Sequence, residues 1–316
     1  MKKILMISIA LVMTLLLSAC GGSNINRSPN QPQPQPQPLV DPSGNWSWTF
    51  GTAPLTFKLG MALQQSGSTV TLASYIFDAS GETVEQPSSN WNCPAALTLG
   101  FQNGTVANTD QFSAVVTFDV PQAGPIGGPI TVTHLGSITI NATLNSTGTT
   151  MAGTYSGAPS CTGLPATGAF SGIAVPSVTG TWSVTLTQCN PDPTGVCTPI
   201  NGATPATMTW TLQQILSPLS AQGTWTASGV SALGDSGSAS SGTSVGYNHI
   251  SIGPGGLSGV NFGLLFQTTS RGANLGIALC TGILDQNGGY SGLLTVYGLG
   301  YTPVAYYLLT AAHTIS

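Results

Sequence analysis

The chain has 316 residues, of which only 4% are charged: five Lys and Arg against nine Asp and Glu, for a net charge of −4. That balance excludes nucleic acid as a partner, because phosphate recognition needs clustered Lys and Arg, and it excludes a polybasic lipid-binding patch. With 41 glycines and a surface that Ser, Thr, Asn and Gln must cover, strands and turns are favoured over helices.

Lys2 and Lys3 precede an uncharged apolar run, Ile4 to Leu17. It is too short to span a bilayer, which takes about 20 residues, and it suits a signal-peptide core. Leu17-Ser18-Ala19-Cys20 follows. These residues resemble the lipobox of bacterial lipoproteins. The resemblance implies cleavage after Ala19, acylation of Cys20 and a stable lipid anchor, since two or three chains exceed what one-chain anchoring lacks. Gly21 in place of Asp implies the outer membrane, with the periplasmic or cell-surface face left open. From Gly21 to Pro42 no apolar period is present, and Gln-Pro alternates from Gln31 to Pro38. Alternating Pro holds a chain near polyproline II, so this run reaches about 25 Å as a semi-rigid stalk. The expected organisation is 1–19 signal peptide, 20–42 lipidated Cys and disordered Gln/Pro-rich linker, 43–174 first β domain and 175–316 second β domain.

The remainder reads as strand after strand. Trp46 to Phe50, Leu55 to Leu59, Thr69 to Leu72, Phe112 to Val120, Ile138 to Leu144 and Met151 to Tyr155 come from the first half. Met208 to Leu212, Val260 to Phe266, Asn274 to Leu279, Leu293 to Tyr297 and Ala305 to Leu309 come from the second. Gly234 to Ser244 is nearly all Gly, Ser and Ala and reads as a mobile loop. The halves echo each other. Gly44-Asn45-Trp46 returns as Gly180-Thr181-Trp182, and Leu63-Gln64-Gln65 as Leu212-Gln213-Gln214. Cys161-Thr162-Gly163, with Gly168 to Gly172, returns as Cys280-Thr281-Gly282 with Gly288 to Gly292. On these pairs the second copy gains residues around Cys189 to Thr204 and is shorter than the first between Gln65 and Cys161. The expected fold is all-β: two repeated antiparallel meanders, each a small barrel or sandwich. Gly-x-Trp opening a meander resembles lipocalins, which implies a barrel, although the Arg that family packs over its Trp is not identifiable.

Export makes disulfides the default for the remaining cysteines. Cys93 with Cys161 is the first choice. Cys189 and Cys197 bracket a turn-rich loop they could close, leaving Cys280 a free thiol; the competing pairing joins Cys280 to Cys189 or Cys197 by analogy with Cys161.

Few constellations carry chemistry. Gly234-Asp235-Ser236-Gly237-Ser238 and Thr310-Ala311-Ala312-His313 resemble the nucleophile and histidine motifs of chymotrypsin-like proteases, in the reverse chain order and with Ser238 where the family has Gly. Asn190, Asp192 and Thr194 stand at calcium-loop spacing without the closing Glu, so a plain turn is expected. His134, His249 and His313 lie far apart with no ligand partner at metal spacing. Glu82 and Glu85 read as a solvated turn. Trp91, in a polar loop, is a candidate stacking platform for a sugar. No cofactor or metal is expected and no catalytic residue is assigned. The leading expectation is a lipid-anchored, non-catalytic binding or surface-interaction lipoprotein, whose ligand is a small apolar molecule, a carbohydrate or a protein. A structural envelope component is the alternative, and a serine hydrolase using Ser236 and His313 a more distant one.

Overall fold

The computed structural model describes residues 37–73, 84–94, 96–122, 128, 131–192, 196–216, 219–230, 233–241, 245–247, 250–252, 257–268, 277–298 and 302–314. The segments expected as signal peptide and, up to residue 36, as linker, with Cys20, and also Glu82, Thr194, His249 and Arg271, lie outside them. The first half forms strands β1 (Gly44–Thr52), β2 (Leu55–Ser66), β3 (Thr69–Leu72), β4 (Val84–Gln86), β5 (Thr98–Ala107), β6 (Gln111–Gln122), β7 (Thr131–Leu144), β8 (Thr150–Ser156) and β9 (Thr167–Ala174). The second forms β10 (Gly180–Pro191), β11 (Cys197–Pro199), β12 (Ala206–Leu216), β13 (Leu219–Ser228), β14 (Ser236–Ser240), β15 (Val245–Tyr247), β16 (Ile250–Ile252), β17 (Leu257–Ser258), β18 (Asn261–Thr268), β19 (Ile277–Leu284), β20 (Gly289–Tyr297) and β21 (Pro303–Thr314). Each half is an eight-stranded antiparallel meander closed into a barrel. In the first, β1 pairs with both β2 and β9, and β4 lies beside β2; in the second, β10 pairs with both β12 and β21, and β11 and β17 are additions. The fold is therefore all-β, two repeated barrels rather than sandwiches. Closure leaves each ring without the unpaired edge that an open sheet must protect.

Alternation along the strands builds the cores. On β10 the buried Trp182, Val184 and Leu186 interleave with exposed Thr181, Ser183 and Thr185. The first barrel is filled by aromatic rings: Trp48 meets Phe170 edge-on at 5.4 Å, Phe50 stacks on Phe57 at 5.6 Å, and Tyr155 meets Phe50 at 5.7 Å. The second is filled around Trp210, with Phe266 at 5.5 Å and Tyr290 at 5.8 Å.

Two of the three sequence echoes have a common atomic cause. Trp46 Nε1 donates to the carbonyl of Pro42 at 2.7 Å, and Trp182 Nε1 donates to that of Val178 at 2.9 Å, four residues back in both cases. The Gln65 N–H donates to Ser43 Oγ at 2.8 Å, and the Gln214 N–H to Thr179 Oγ1 at 2.9 Å. Gly44 and Gly180 enter their strands at φ 137° and 134°, a region that favours glycine. The third echo is a coincidence. Cys161 lies in the connection before the last strand of its barrel, whereas Cys280 lies within the sixth strand of its own. The true counterpart is the turn between strands six and seven. Asn145 Oδ1 accepts from the Thr149 N–H and Asp285 Oδ1 from the Gly289 N–H, both at 2.8 Å. With that register the second copy is still shorter than the first after Gln214, 71 residues to Asp285 against 80 from Gln65 to Asn145, and before Gln214 it gains the β10–β11 hairpin.

The segment expected as a loop at Gly234 to Ser244 contains β14, a wall strand. Its small residues make room for Trp225, which lies opposite Gly237 and donates to the Ser238 carbonyl at 3.1 Å. A Cβ at Gly237 would overlap the Gln267 carbonyl oxygen and sit 2.8 Å from Trp225 Nε1.

The barrels meet where each carries its added strand. The turn after β17 lies on the outer face of β1 and β2, where Ser47, Gly60 and Ala62 are small. Asn45, 2% exposed, pairs its side-chain amide with the Gly259 peptide, donating to its carbonyl and accepting from its N–H, both at 2.7 Å. Glu85 on β4 accepts from the Val260 N–H at 2.7 Å and from Ser47 Oγ at 2.5 Å. Ala62 and Ala73 of the first barrel are buried in the same apolar cluster as the core of the second. Glu85 is thus no solvated turn: the turn that covers it lies far along the chain, beyond reach of local sequence.

Candidate functional site

The base of the first barrel is closed by the segment between β4 and β5, and that segment holds Trp91. A single 3₁₀ turn at Ser160–Thr162 faces it. The Trp91 N–H donates to the Ser88 carbonyl at 3.1 Å, and the Asn92 N–H to the Cys161 carbonyl at 2.8 Å. Ser88 Oγ donates to the Thr162 carbonyl. The Cys93–Cys161 disulfide joins the two segments, with Cα atoms 4.6 Å apart. Gly163 turns at φ 70° against the backbone of Asn90, where a Cβ would come within 2.7 Å of it.

Trp91 stacks on Phe57, centroids 5.1 Å apart and planes inclined 27°. Phe57 stacks in turn on Phe50, so a column of rings runs from the surface into the core. Trp91 is only half-buried, and Ser89, Asn90 and Asn92 around it are exposed. The ring expected as an exposed stacking platform is exposed in part: one side of it belongs to the barrel. What remains is an aromatic surface whose conformational entropy has already been lost on folding, ringed by amide and hydroxyl groups. Such a group binds at lower entropic cost than a flexible one.

The other candidates fall out as follows. Ser236 on β14 and His313 on β21 are four strands apart in either direction round an eight-stranded ring, hence on opposite walls. Ser236 alternates with the buried Gly237 and so faces outward, while His313 stacks on Trp182 at 4.8 Å and donates from Nε2 to the Thr179 carbonyl at 2.9 Å. No dyad forms between them. Cys189 is bonded to Cys197, closing the β10–β11 hairpin, and Cys280 is a free, buried thiol. Its Sγ lies 3.1 Å from Tyr290 Oη, and burial pushes its pKa up to about 12. Asp192 Oδ1 accepts from the Val196 N–H at 2.9 Å, so this carboxylate oxygen ties down the β10–β11 connection.

One pairing escaped the sequence. His134 Nδ1 lies 2.7 Å from Asp119 Oδ1, and Thr117 Oγ1 donates to Asp119 Oδ2 at 2.9 Å. The two residues are cross-strand partners on β6 and β7, so the strand register was the signal that could have found them. Among the described residues no group of three or more His, Cys, Asp and Glu side chains converges as a metal site would require. No protein-family model matches the chain, and the curated proteins hold no match to it.

Proposed function

We propose that this chain is a non-catalytic binding module of the bacterial cell envelope, held on the outer membrane by lipid on Cys20, and that it takes carbohydrate at Trp91. The half-exposed ring of Trp91, held against Phe57 and tied down through Cys93–Cys161, carries the ligand assignment. Sugar rings offer an apolar face to an aromatic ring and hydroxyls to neighbouring amides, and Trp91 with Asn90 and Asn92 presents both. Among the described residues, aromatic rings fill the barrel interiors, which favours the ends and outer walls for a ligand over an enclosed small apolar guest. The opposed positions of Ser236 and His313 favour binding over hydrolysis. The anchor reading rests on Leu17 to Cys20 and the Gln-Pro stalk.

Two experiments test this. Cells fed labelled palmitate are expected to label the chain, and Cys20→Ser to abolish the label and release the protein from the membrane fraction. Titration of the purified protein with soluble cello- and chito-oligosaccharides, read by tryptophan fluorescence, is expected to saturate, and Trp91→Ala to lose the response while near-UV circular dichroism is kept. An unchanged titration in Trp91→Ala would remove the site, and membrane retention of Cys20→Ser would remove the anchor.

A further inference from the structure

We propose that the joint between the two barrels is a proton-sensitive latch, in which Glu85 holds the turn at Gly259 and Val260 more tightly as the pH falls. The geometry carries this. Glu85 stands between the barrels, with one carboxylate oxygen on the Val260 N–H of the second and the other on Ser47 Oγ of the first. A Cβ on Gly259 would overlap Glu85 Oε1 and lie 2.7 Å from the Gly60 Cα, so the turn covers the carboxylate closely. On β1 the neighbour is Ser47 and on the turn it is a backbone N–H, both neutral; on β2 it is Lys58, the one full charge acting on Glu85 among the described residues. Desolvation outweighs the two hydrogen bonds and Lys58, and the carboxyl is raised above its ordinary range.

The linkage follows. Opening the joint returns Glu85 to water and to an ordinary carboxylate pKa, so the closed state binds the proton more tightly. Closure is therefore favoured fully below the ordinary range, and that advantage is lost as pH rises through the raised value. Above it Asn45 and the packing of Ala62 and Ala73 against the core of the second barrel still hold the joint, more weakly.

Amide hydrogen exchange on the full mature chain tests the latch, with intrinsic rates corrected for pH. Protection of the Gly259 and Val260 amides, followed from pH 5 to 8, is expected to fall as pH rises through the raised Glu85 value, by at most about tenfold per pH unit for one proton. Glu85→Gln keeps an acceptor for Val260 without the charge, and is expected to hold the acid-side protection across that range. Asn45→Ala is expected to lower protection by the same factor at every pH and leave the slope intact. Protection independent of pH in the unaltered chain overturns the latch, as does a Glu85→Gln chain that keeps the slope. The outcome is independent of whether Trp91 binds sugar.

Discussion

Trp46 and Trp48 both point into the first barrel from β1, but they use their indole N–H groups differently. That of Trp46 donates to the Pro42 carbonyl at 2.7 Å, whereas among the described residues no acceptor reaches that of Trp48. The second barrel divides the task likewise: Trp182 is bonded, and Trp210 has no acceptor among the described residues. Replacing either member by Phe removes about the same ring volume, so the hydrogen bond decides the difference. Trp46→Phe strands a carbonyl and is expected to cost about 1 kcal/mol more than Trp48→Phe in urea unfolding. Equal losses would mean that the Pro42 contact contributes nothing. Cys280 gives a second test. With its thiol buried and raised to about 12, almost none is thiolate at pH 8. A Cys20→Ser chain is expected to show no reaction with a thiol reagent when native, and one reactive thiol in denaturant.

Elements were legible wherever their cause is local. The Gly-x-Trp and Leu-Gln-Gln echoes stood out because the bonds behind them tie the first strand to its immediate neighbours, and selection at those positions reappears in both halves. The Cys-Thr-Gly echo misled because nothing physical links a loop disulfide to a buried strand thiol. β14 read as a loop because its composition serves Trp225 rather than its own strand propensity. Gly237→Val tests that account: the added side chain has the Gln267 carbonyl and the Trp225 indole in its way, and a loss of about 1–3 kcal/mol is expected in chemical unfolding. The disulfides differ at this scale too. Cys93–Cys161 spans 68 residues and Cys189–Cys197 spans 8. Loop-closure entropy gives about 4 kcal/mol for the first and about 2.5 for the second. Cys93→Ala with Cys161→Ala is thus expected to lower the melting temperature more than Cys189→Ala with Cys197→Ala. It is also expected to weaken the oligosaccharide response by freeing Trp91.

At the scale of the whole molecule, sequence could reveal two β modules but not how they join, because the joint pairs Asn45 and Glu85 with a turn 214 and 175 residues away. That joint is narrow beside the interiors it connects. Each barrel closes on itself, carries its own disulfide and packs its own aromatic core, while the link between them rests on Asn45, Glu85, Gly259, Val260 and two alanines. Cooperative units form where contacts are dense, so the chain is expected to unfold as two units, with a calorimetric enthalpy larger than the van't Hoff value. A chain of residues 38–175 is then expected to keep the near-UV signal of the Trp48–Phe50–Phe57 column. In that shortened chain Glu85 loses its cover from Val260, its carboxyl returns to the ordinary range, and the part of the pH dependence that favours the closed form in acid disappears. A single two-state transition in the full chain would show instead that the joint, small as it is, governs both barrels.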